Sequence, residues 1–154
     1  MLTNESSNYA PTLTVNIVSG FKLRDTTSIN VTSFDKVIIN GSGNTIDGDN
    51  KFKFLSIDTA SANFHANIVY YNTEVVINNT NIVNCSGGVS VGGVIYNSNN
   101  TLTIINSTLN HNNATSGGAI SNGGNLTTIN TTIINIRATN ERGYGGAIYN
   151  YGVV

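Results

Sequence analysis

Acidic residues near one end of the chain are the first candidates for chemistry. Asp47-Gly48-Asp49-Asn50 places two carboxylates two residues apart, and further aspartates flank it at Asp25, Asp35 and Asp58. Hard cations such as Ca²⁺ bind where several carboxylate and carbonyl oxygens converge, so Asp47 and Asp49 are candidate metal ligands. Asp-Gly is also an ordinary turn sequence. We favour the turn and predict no metal site.

The sequence offers no obvious catalytic pair. Glycoside hydrolysis needs two carboxyl groups across a cleft, and Glu74 and Glu141 fall at different points of the repeats described below. His65 and His111 are isolated, and we expect both to be solvated. Cys85 ends an apolar run and is expected to be a small core residue. We therefore predict no catalytic residues and no enzyme activity.

Tyrosines suggest a binding surface instead. Tyr96 and Tyr149 occupy equivalent positions of a repeat and should point outward on one face, with Tyr151 and Tyr144 nearby. Aromatic platforms suit sugars and protein partners alike. The alternative is that tyrosine simply covers a solvated strand face, as its preference for strands favours. Tyr96, Tyr149 and Tyr151 are our candidate binding residues.

These residues belong to a chain that repeats. The phrase Gly-Gly-small-Ile occurs three times, with 25 and then 28 residues between successive copies: Gly92-Gly93-Val94-Ile95, Gly117-Gly118-Ala119-Ile120 and Gly145-Gly146-Ala147-Ile148. A second phrase recurs between these copies, beginning at Val75, Leu102 and Leu126. Each unit is too short to bury its own apolar face, so neighbouring units must stack.

Alternation of apolar and polar residues assigns the faces of each unit. Ile95, Ile120 and Ile148 should form one inward column, and Val75, Leu102 and Leu126 another, although Thr128 interrupts the positions beside the second. Each glycine pair should make a corner where neither a side chain nor a negative φ fits. Asparagines should stack at corners, where their amides can bond along the column. These are Asn79, Asn106 and Asn130, with Asn97, Asn122 and Asn150 at a further corner.

The fold predicted from these repeats is all-β: a right-handed, single-stranded parallel β-helix with 24–28 residues per coil and roughly five or six coils. We expect residues 1–10 to be disordered, residues 11–34 to form a cap or irregular first coil, and residues 35–154 to form the coils. The small, polar segment Asp58–Asn63 is expected to be a loop. The last coil should end on an unprotected strand edge, where end-to-end self-association is expected.

Composition excludes several classes of function. Lys and Arg number 7 against 8 Asp and Glu, too few and too dispersed to neutralise nucleic-acid phosphates. No apolar run is long enough for a membrane-spanning helix, and the polar N-terminus lacks a secretory signal. Gly41-Ser42-Gly43 lacks the third glycine of a dinucleotide-binding motif. We expect no cofactor, no nucleic-acid partner and no membrane span.

Residues 75–152 resemble a known family. Leu109-Asn110-His111-Asn112 followed by Gly117-Gly118-Ala119-Ile120 is similar to the polymorphic outer membrane protein repeat, and the Asn-, Thr- and Ile-rich setting resembles adhesin-like surface proteins of methanogenic archaea. The resemblance implies that the chain is part of a longer protein at the cell surface or outside the cell.

Three functions remain open after this resemblance. We favour a non-enzymatic, adhesin-like or stalk module that presents a surface to a cell-surface glycan or a protein. The alternative is a carbohydrate-active β-helix, either a polysaccharide lyase or a hydrolase, which would need converging carboxylates around Asp47 and Asp49. The third is a spacer without a ligand.

The face assignment leads to a first prediction. Ile120→Asp places a charge in the inward column, so the variant should lose several kcal/mol of unfolding free energy or fail to fold. Thermal melting checks this, and a melting curve equal to that of the unmodified chain would show that Ile120 does not point inward.

Overall fold

The computed structural model describes residues 11–30, 34–58, 61–64, 67–70, 72–140 and 143–154. The expectation of a disordered N-terminus concerns residues 1–10, which lie outside these ranges. The described chain consists of short β-strands and turns. None of the described segments is a helix long and apolar enough to cross a membrane.

Three parallel sheets of five strands each form the body of the molecule. Sheet A contains β1 (Thr12–Asn16), β4 (Lys36–Asn40), β9 (Glu74–Asn78), β12 (Thr101–Ile105) and β16 (Asn125–Ile129). Sheet B contains β2 (Phe21–Lys22), β5 (Thr45–Asp47), β10 (Asn81–Val83), β13 (Thr108–Asn110) and β17 (Thr132–Ile134). Sheet C contains β3 (Thr27–Asn30), β6 (Leu55–Asp58), β11 (Ile95–Asn97), β15 (Ile120–Asn122) and β19 (Ile148–Asn150). Each pass of the chain contributes one strand to every sheet, which confirms the predicted parallel β-solenoid.

Residues 11–30 are integrated into this stack. Their strands β1, β2 and β3 pair in parallel with β4, β5 and β6 of the next pass.

One pass is longer than predicted. Equivalent residues of sheet A are 24 residues apart between Asn16 and Asn40, but 38 apart between Lys36 and Glu74. The extra length contains an antiparallel hairpin of β7 (Ser61–Phe64) and β8 (Asn67–Tyr70). The prediction of a loop over Asp58–Asn63 was therefore wrong, because β6 ends at Asp58 and β7 begins at Ser61. Small, polar residues are typical of loops, so the composition of this segment did not predict that Ser61–Phe64 pairs with β8.

The core lies between the three sheets and is built from columns of branched side chains. Val37, Val75, Leu102 and Leu126 stack within sheet A, and Ile95 and Ile120 are fully buried in sheet C. Ile148 extends the latter column and packs partly buried against the core. Thr128 is exposed and pairs in unbroken register with Ile104. Its hydroxyl is therefore solvated, and it does not disturb the pairing of the strand.

Left-handed backbone conformations make the corners of every regular pass. Asn79, Asn106 and Asn130 turn the chain from sheet A to sheet B with φ of 50, 50 and 47°. Asparagine tolerates this conformation because its short amide can bond locally. These side chains are exposed, and Asn130 Nδ2 donates to Asn106 Oδ1 at 2.8 Å. The expected stacking of amides is present at this step.

A second asparagine column lies inside the solenoid rather than at a corner. Asn97 and Asn122 are fully buried at the ends of β11 and β15, and their amides continue to Asn150. Asn97 Nδ2 donates to Asn122 Oδ1 at 2.6 Å, and Asn122 Nδ2 donates to Asn150 Oδ1 at 2.7 Å. Asn97 also bonds the backbone of Asn100 in the turn that follows. The column thus pairs buried polar groups with one another and fixes the turn beyond sheet C.

The two glycines of each Gly-Gly pair have different roles. Gly92, Gly117 and Gly145 have positive φ. Gly118 has ordinary φ, but a Cβ there would lie 2.5 Å from the carbonyl oxygen of Arg137 in the next pass. At Gly146, in the last pass, a Cβ would meet nothing within 4 Å. The second glycine is therefore required only where another pass covers it.

This difference gives a matched pair of variants. Gly118→Ala should lower the unfolding free energy by about 1–3 kcal/mol, because the methyl group forces successive passes apart. Gly146→Ala should leave it unchanged or raise it by up to about 1 kcal/mol, because alanine restricts the unfolded chain. Denaturant unfolding of both variants measures the contrast, and equal effects would contradict the covered-corner explanation.

Candidate binding surface

The outer face of sheet C gathers the tyrosines singled out from the sequence. In the register of this sheet Tyr96 pairs with Ser121, and Ser121 pairs with Tyr149. Tyr96 and Tyr149 are therefore separated by two strand spacings, about 10 Å. The small Ser121 leaves a gap between the two rings.

Tyr151 fills this gap. It follows β19, and its ring packs against Gly123, where any side chain would collide with it. Ser121 points outward, as predicted, yet it is fully buried. Its Oγ makes no hydrogen bond of good geometry among the described residues, although it lies close enough to Tyr151 to favour the ionised phenol slightly.

The rings contact one another along the face. Tyr151 and Tyr149 have centroids 5.4 Å apart, and Tyr149 stacks on Tyr144 at 5.6 Å. At the other end the ammonium of Lys53 lies 5.4 Å from the centre of the Tyr96 ring and donates to the carbonyl of Val91 at 2.8 Å. We call Tyr96, Tyr144, Tyr149 and Tyr151 the tyrosine cluster. Tyr144 and Tyr151 are 67% and 53% exposed, so a ligand can reach their rings.

The Tyr151 phenol is the perturbed group of this surface. Burial, followed by the neighbouring Tyr96 hydroxyl, raises its pKa to about 12. A nearby phenol and a low-dielectric contact both disfavour the negative charge. At neutral pH the hydroxyl is therefore a neutral donor and acceptor, suited to bonding another hydroxyl.

The aspartates considered as metal ligands are bound by lysines instead. Asp49 lies 3.0 Å from Lys22 and 3.1 Å from Lys51, while Lys22 is also 3.8 Å from Asp47. Hydrogen bonds from Lys22 and Lys51 lower the pKa of Asp49. Asp47 Oδ1 accepts from the Asp49 backbone and from Asn84 Nδ2. Within the described ranges, no three His, Cys, Asp or Glu side chains are grouped as they would be around a metal ion.

The remaining reactive residues are dispersed. Glu74 is paired with Lys36 at 3.0 Å across two strands of sheet A. Cys85 is fully buried, and desolvation raises the pKa of its thiol to about 12, so it is protonated at neutral pH. His111 is exposed at a corner, whereas His65 and Glu141 lie outside the described residues. None of these side chains contacts the tyrosine cluster through a described bond.

A polar groove of about 380 Å³ was not predicted from the sequence. It lies beside the corner that follows sheet B, and its lining residues include Asn84, His111, Asn113, Asn135, Arg137 and Thr139. His111 was predicted to be isolated, and no site was predicted at Arg137. The signal was present in the spacing: Asn84, His111 and Asn135 all follow the third residue of a sheet B strand and share φ of 52–54°.

The raised Tyr151 pKa predicts a pH dependence. Between about pH 10 and pH 12 the unfolded phenol ionises while the folded one stays protonated, so the folded state binds more protons and loses stability as pH rises. In Tyr151→Phe this contribution is absent, and its unfolding free energy should fall less steeply over that window. Denaturant unfolding at several pH values measures how steeply the unfolding free energy of each protein changes with pH. Equal slopes for the unmodified chain and Tyr151→Phe would contradict the raised pKa of Tyr151.

Comparison of the chain with models of protein families, with curated proteins and with solved structures found no match. Function is therefore inferred from the surfaces of the solenoid itself. Two of them are candidate sites. The tyrosine cluster on sheet C presents accessible aromatic rings, and the polar groove beside the corner after sheet B is concave and lined by polar side chains.

Proposed function

We propose that this solenoid is a non-enzymatic module of a cell-surface or extracellular protein, and that its tyrosine cluster binds a glycan. The observation that carries the proposal is the contact of tyrosine rings on the outer face of sheet C. The C–H face of a sugar ring packs against aromatic faces, while its hydroxyl groups bond phenol oxygens. A row of contacting tyrosine rings offers aromatic faces and phenol oxygens side by side.

Rigidity of the sheet supports this proposal. Tyr96 and Tyr149 stand on strands whose backbones are fixed by pairing with β15. Tyr151 is held against Gly123. A tyrosine has only two side-chain torsions to fix, so binding to a preorganised cluster costs little conformational entropy.

The arrangement of the charges favours binding over catalysis. Asp47 and Asp49, the carboxylates that a lyase or hydrolase would need, face Lys22 and Lys51. A carboxylate held by lysine ammonium groups is a poor general acid at neutral pH, because its proton is lost more readily. The Cys85 thiol is buried and protonated, which makes it a poor nucleophile.

Placement at the cell surface is part of the proposal and is supported by the resemblance of the Gly-Gly-Ala-Ile repeats to surface-protein repeats. The geometry of the solenoid suits that role. Stacked passes of equal register hold a face at a fixed distance from whatever anchors the chain. A stalk and a binding face are thus compatible functions of one structure.

The test is retention on a broad glycan and polysaccharide array, with and without Ca²⁺. Tyr149→Ser places at this position the residue that the preceding pass carries at Ser121, so the strand should be preserved. We expect specific retention by the unmodified chain and at least about tenfold weaker retention by Tyr149→Ser, because an aromatic contact is lost. Thr127→Ala, on the exposed face of sheet A, is the matched control and should bind normally.

The other outcomes separate the alternatives. No retention on any glycan would refute glycan binding and favour a protein ligand or a spacer. Retention that requires Ca²⁺ would revive a cation site at Asp47 and Asp49. Equal retention by Tyr149→Ser and the unmodified chain would move the site away from the tyrosine cluster.

A further inference from the structure

The polar groove forms where three passes turn the same corner. Asn84, His111 and Asn135 occupy this corner in successive passes. Beyond it the chain continues into β14 (Asn113–Ala114) and β18 (Arg137–Ala138), which pair in parallel and place Arg137 beside Asn113. Residues of the corner column and of this short sheet line the groove.

The positive charge of Arg137 has no counter-ion among the residues that the structure describes. Lys22, Lys36 and Lys51 each pair with a carboxylate. The guanidinium of Arg137 is exposed and makes neither an ion pair nor a hydrogen bond with any described residue. The imidazole of His111, which also lines the groove, is likewise without a hydrogen bond to the described chain.

Asp47 is a carboxylate that contacts the groove lining, through its hydrogen bond with Asn84. Asp47 lies in β5, three strands away from β17, the strand that precedes Arg137. Three strand spacings amount to about 14 Å, beyond the screening length of about 8 Å at physiological salt. Asp47 and its neighbour Asp49 are in addition paired with lysines. The described carboxylates near the groove therefore leave the charge of Arg137 without a counter-ion.

Three asparagine amides supply a further part of the lining. Asn135 Nδ2 donates to Asn110 Oδ1 at 2.9 Å, Asn84 Nδ2 donates to Asp47, and Asn113 Oδ1 accepts from Ser86 Oγ. Each amide thus uses one of its two ends within the protein. The other ends, Oδ1 of Asn84 and Asn135 and Nδ2 of Asn113, have no partner among the described residues. Neutral donors and acceptors of this kind match hydroxyl groups.

We propose that this groove binds an acidic saccharide, with a carboxylate of the sugar on Arg137 and its hydroxyl groups on the asparagine amides. The planar guanidinium presents two parallel N–H groups that match the two oxygens of a carboxylate. His111 lies where it can donate a further hydrogen bond to the sugar. This site is separate from the tyrosine cluster, which lies on sheet C, and does not depend on the function proposed for it.

The experiment is calorimetric titration of the full chain with tetragalacturonate and, separately, with its carboxyl-reduced, neutral counterpart. We expect the uronate to bind, the neutral sugar to bind at least about tenfold more weakly, and uronate affinity to fall as salt is added. No uronate binding, or equal binding of both sugars, would overturn the proposal.

Three variants locate the site. Arg137→Gln should weaken uronate binding at least about tenfold, since it removes the charge and keeps a polar side chain of similar length. His111→Asn installs the residue that Asn84 and Asn135 already provide at this corner, so the positive φ is retained and folding should be preserved. It should weaken binding by a smaller factor. Arg24→Gln, at an exposed arginine that does not line the groove, should have no effect.

The variants also keep the two binding proposals apart. Comparing Arg137→Gln with Tyr149→Ser assigns the uronate to one surface, because Tyr149 is not among the residues that line the groove. Uronate binding that survives Arg137→Gln but is lost in Tyr149→Ser would overturn the groove assignment and place the acidic sugar on the tyrosine cluster.

Discussion

Parallel pairing without any shift of register is the constraint on which this structure depends. Each residue of a strand lies about 4.8 Å from its counterpart in the next pass, so the residue types in a column must be compatible with one another. Branched apolar side chains meet this condition by packing. Asparagine meets it by donating with Nδ2 and accepting with Oδ1, as Asn97, Asn122 and Asn150 do. Charges meet it only in opposite pairs, as at Lys36 and Glu74.

Both candidate sites arise where a column changes its residue. Ser121 stands between Tyr96 and Tyr149, and the space it leaves admits the ring of Tyr151. His111 stands between Asn84 and Asn135 at a corner that accepts either residue in the left-handed conformation. The regular positions maintain the stack, and the substituted ones give a face its chemical character.

The fold was predictable from sequence because stacked passes need compatible residues at equivalent positions, and this requirement appears in the sequence as a repeat. The period of the Gly-Gly phrase and the alternation around Ile95 and Ile120 were sufficient to infer parallel passes with an apolar centre. The hairpin β7–β8 was not predictable, since nothing in a repeat specifies what is inserted between two of its strands. The buried column at Asn97 was assigned to a corner because asparagine is common in turns, although strict alternation from Ile95 directs Asn97 inward. Of the candidate sites, the tyrosines were brought together as expected. The groove was missed because Arg137 and His111 lie in successive passes and line one groove only through the pairing of β13 with β17 and of β14 with β18.

The hairpin also bears on how such a chain can change over time. The pass that contains β7 and β8 is longer than its neighbours by more than ten residues, yet β4 and β9 pair in full register on either side of it. An insertion at this point leaves the stack intact, because β7 pairs with β8, while β4, β5 and β6 still pair with β9, β10 and β11. The segment between β6 and β9 is therefore a place where the lineage can acquire or lose whole appendages without a compensating change elsewhere. For the same reason it is a natural position at which to graft a foreign peptide.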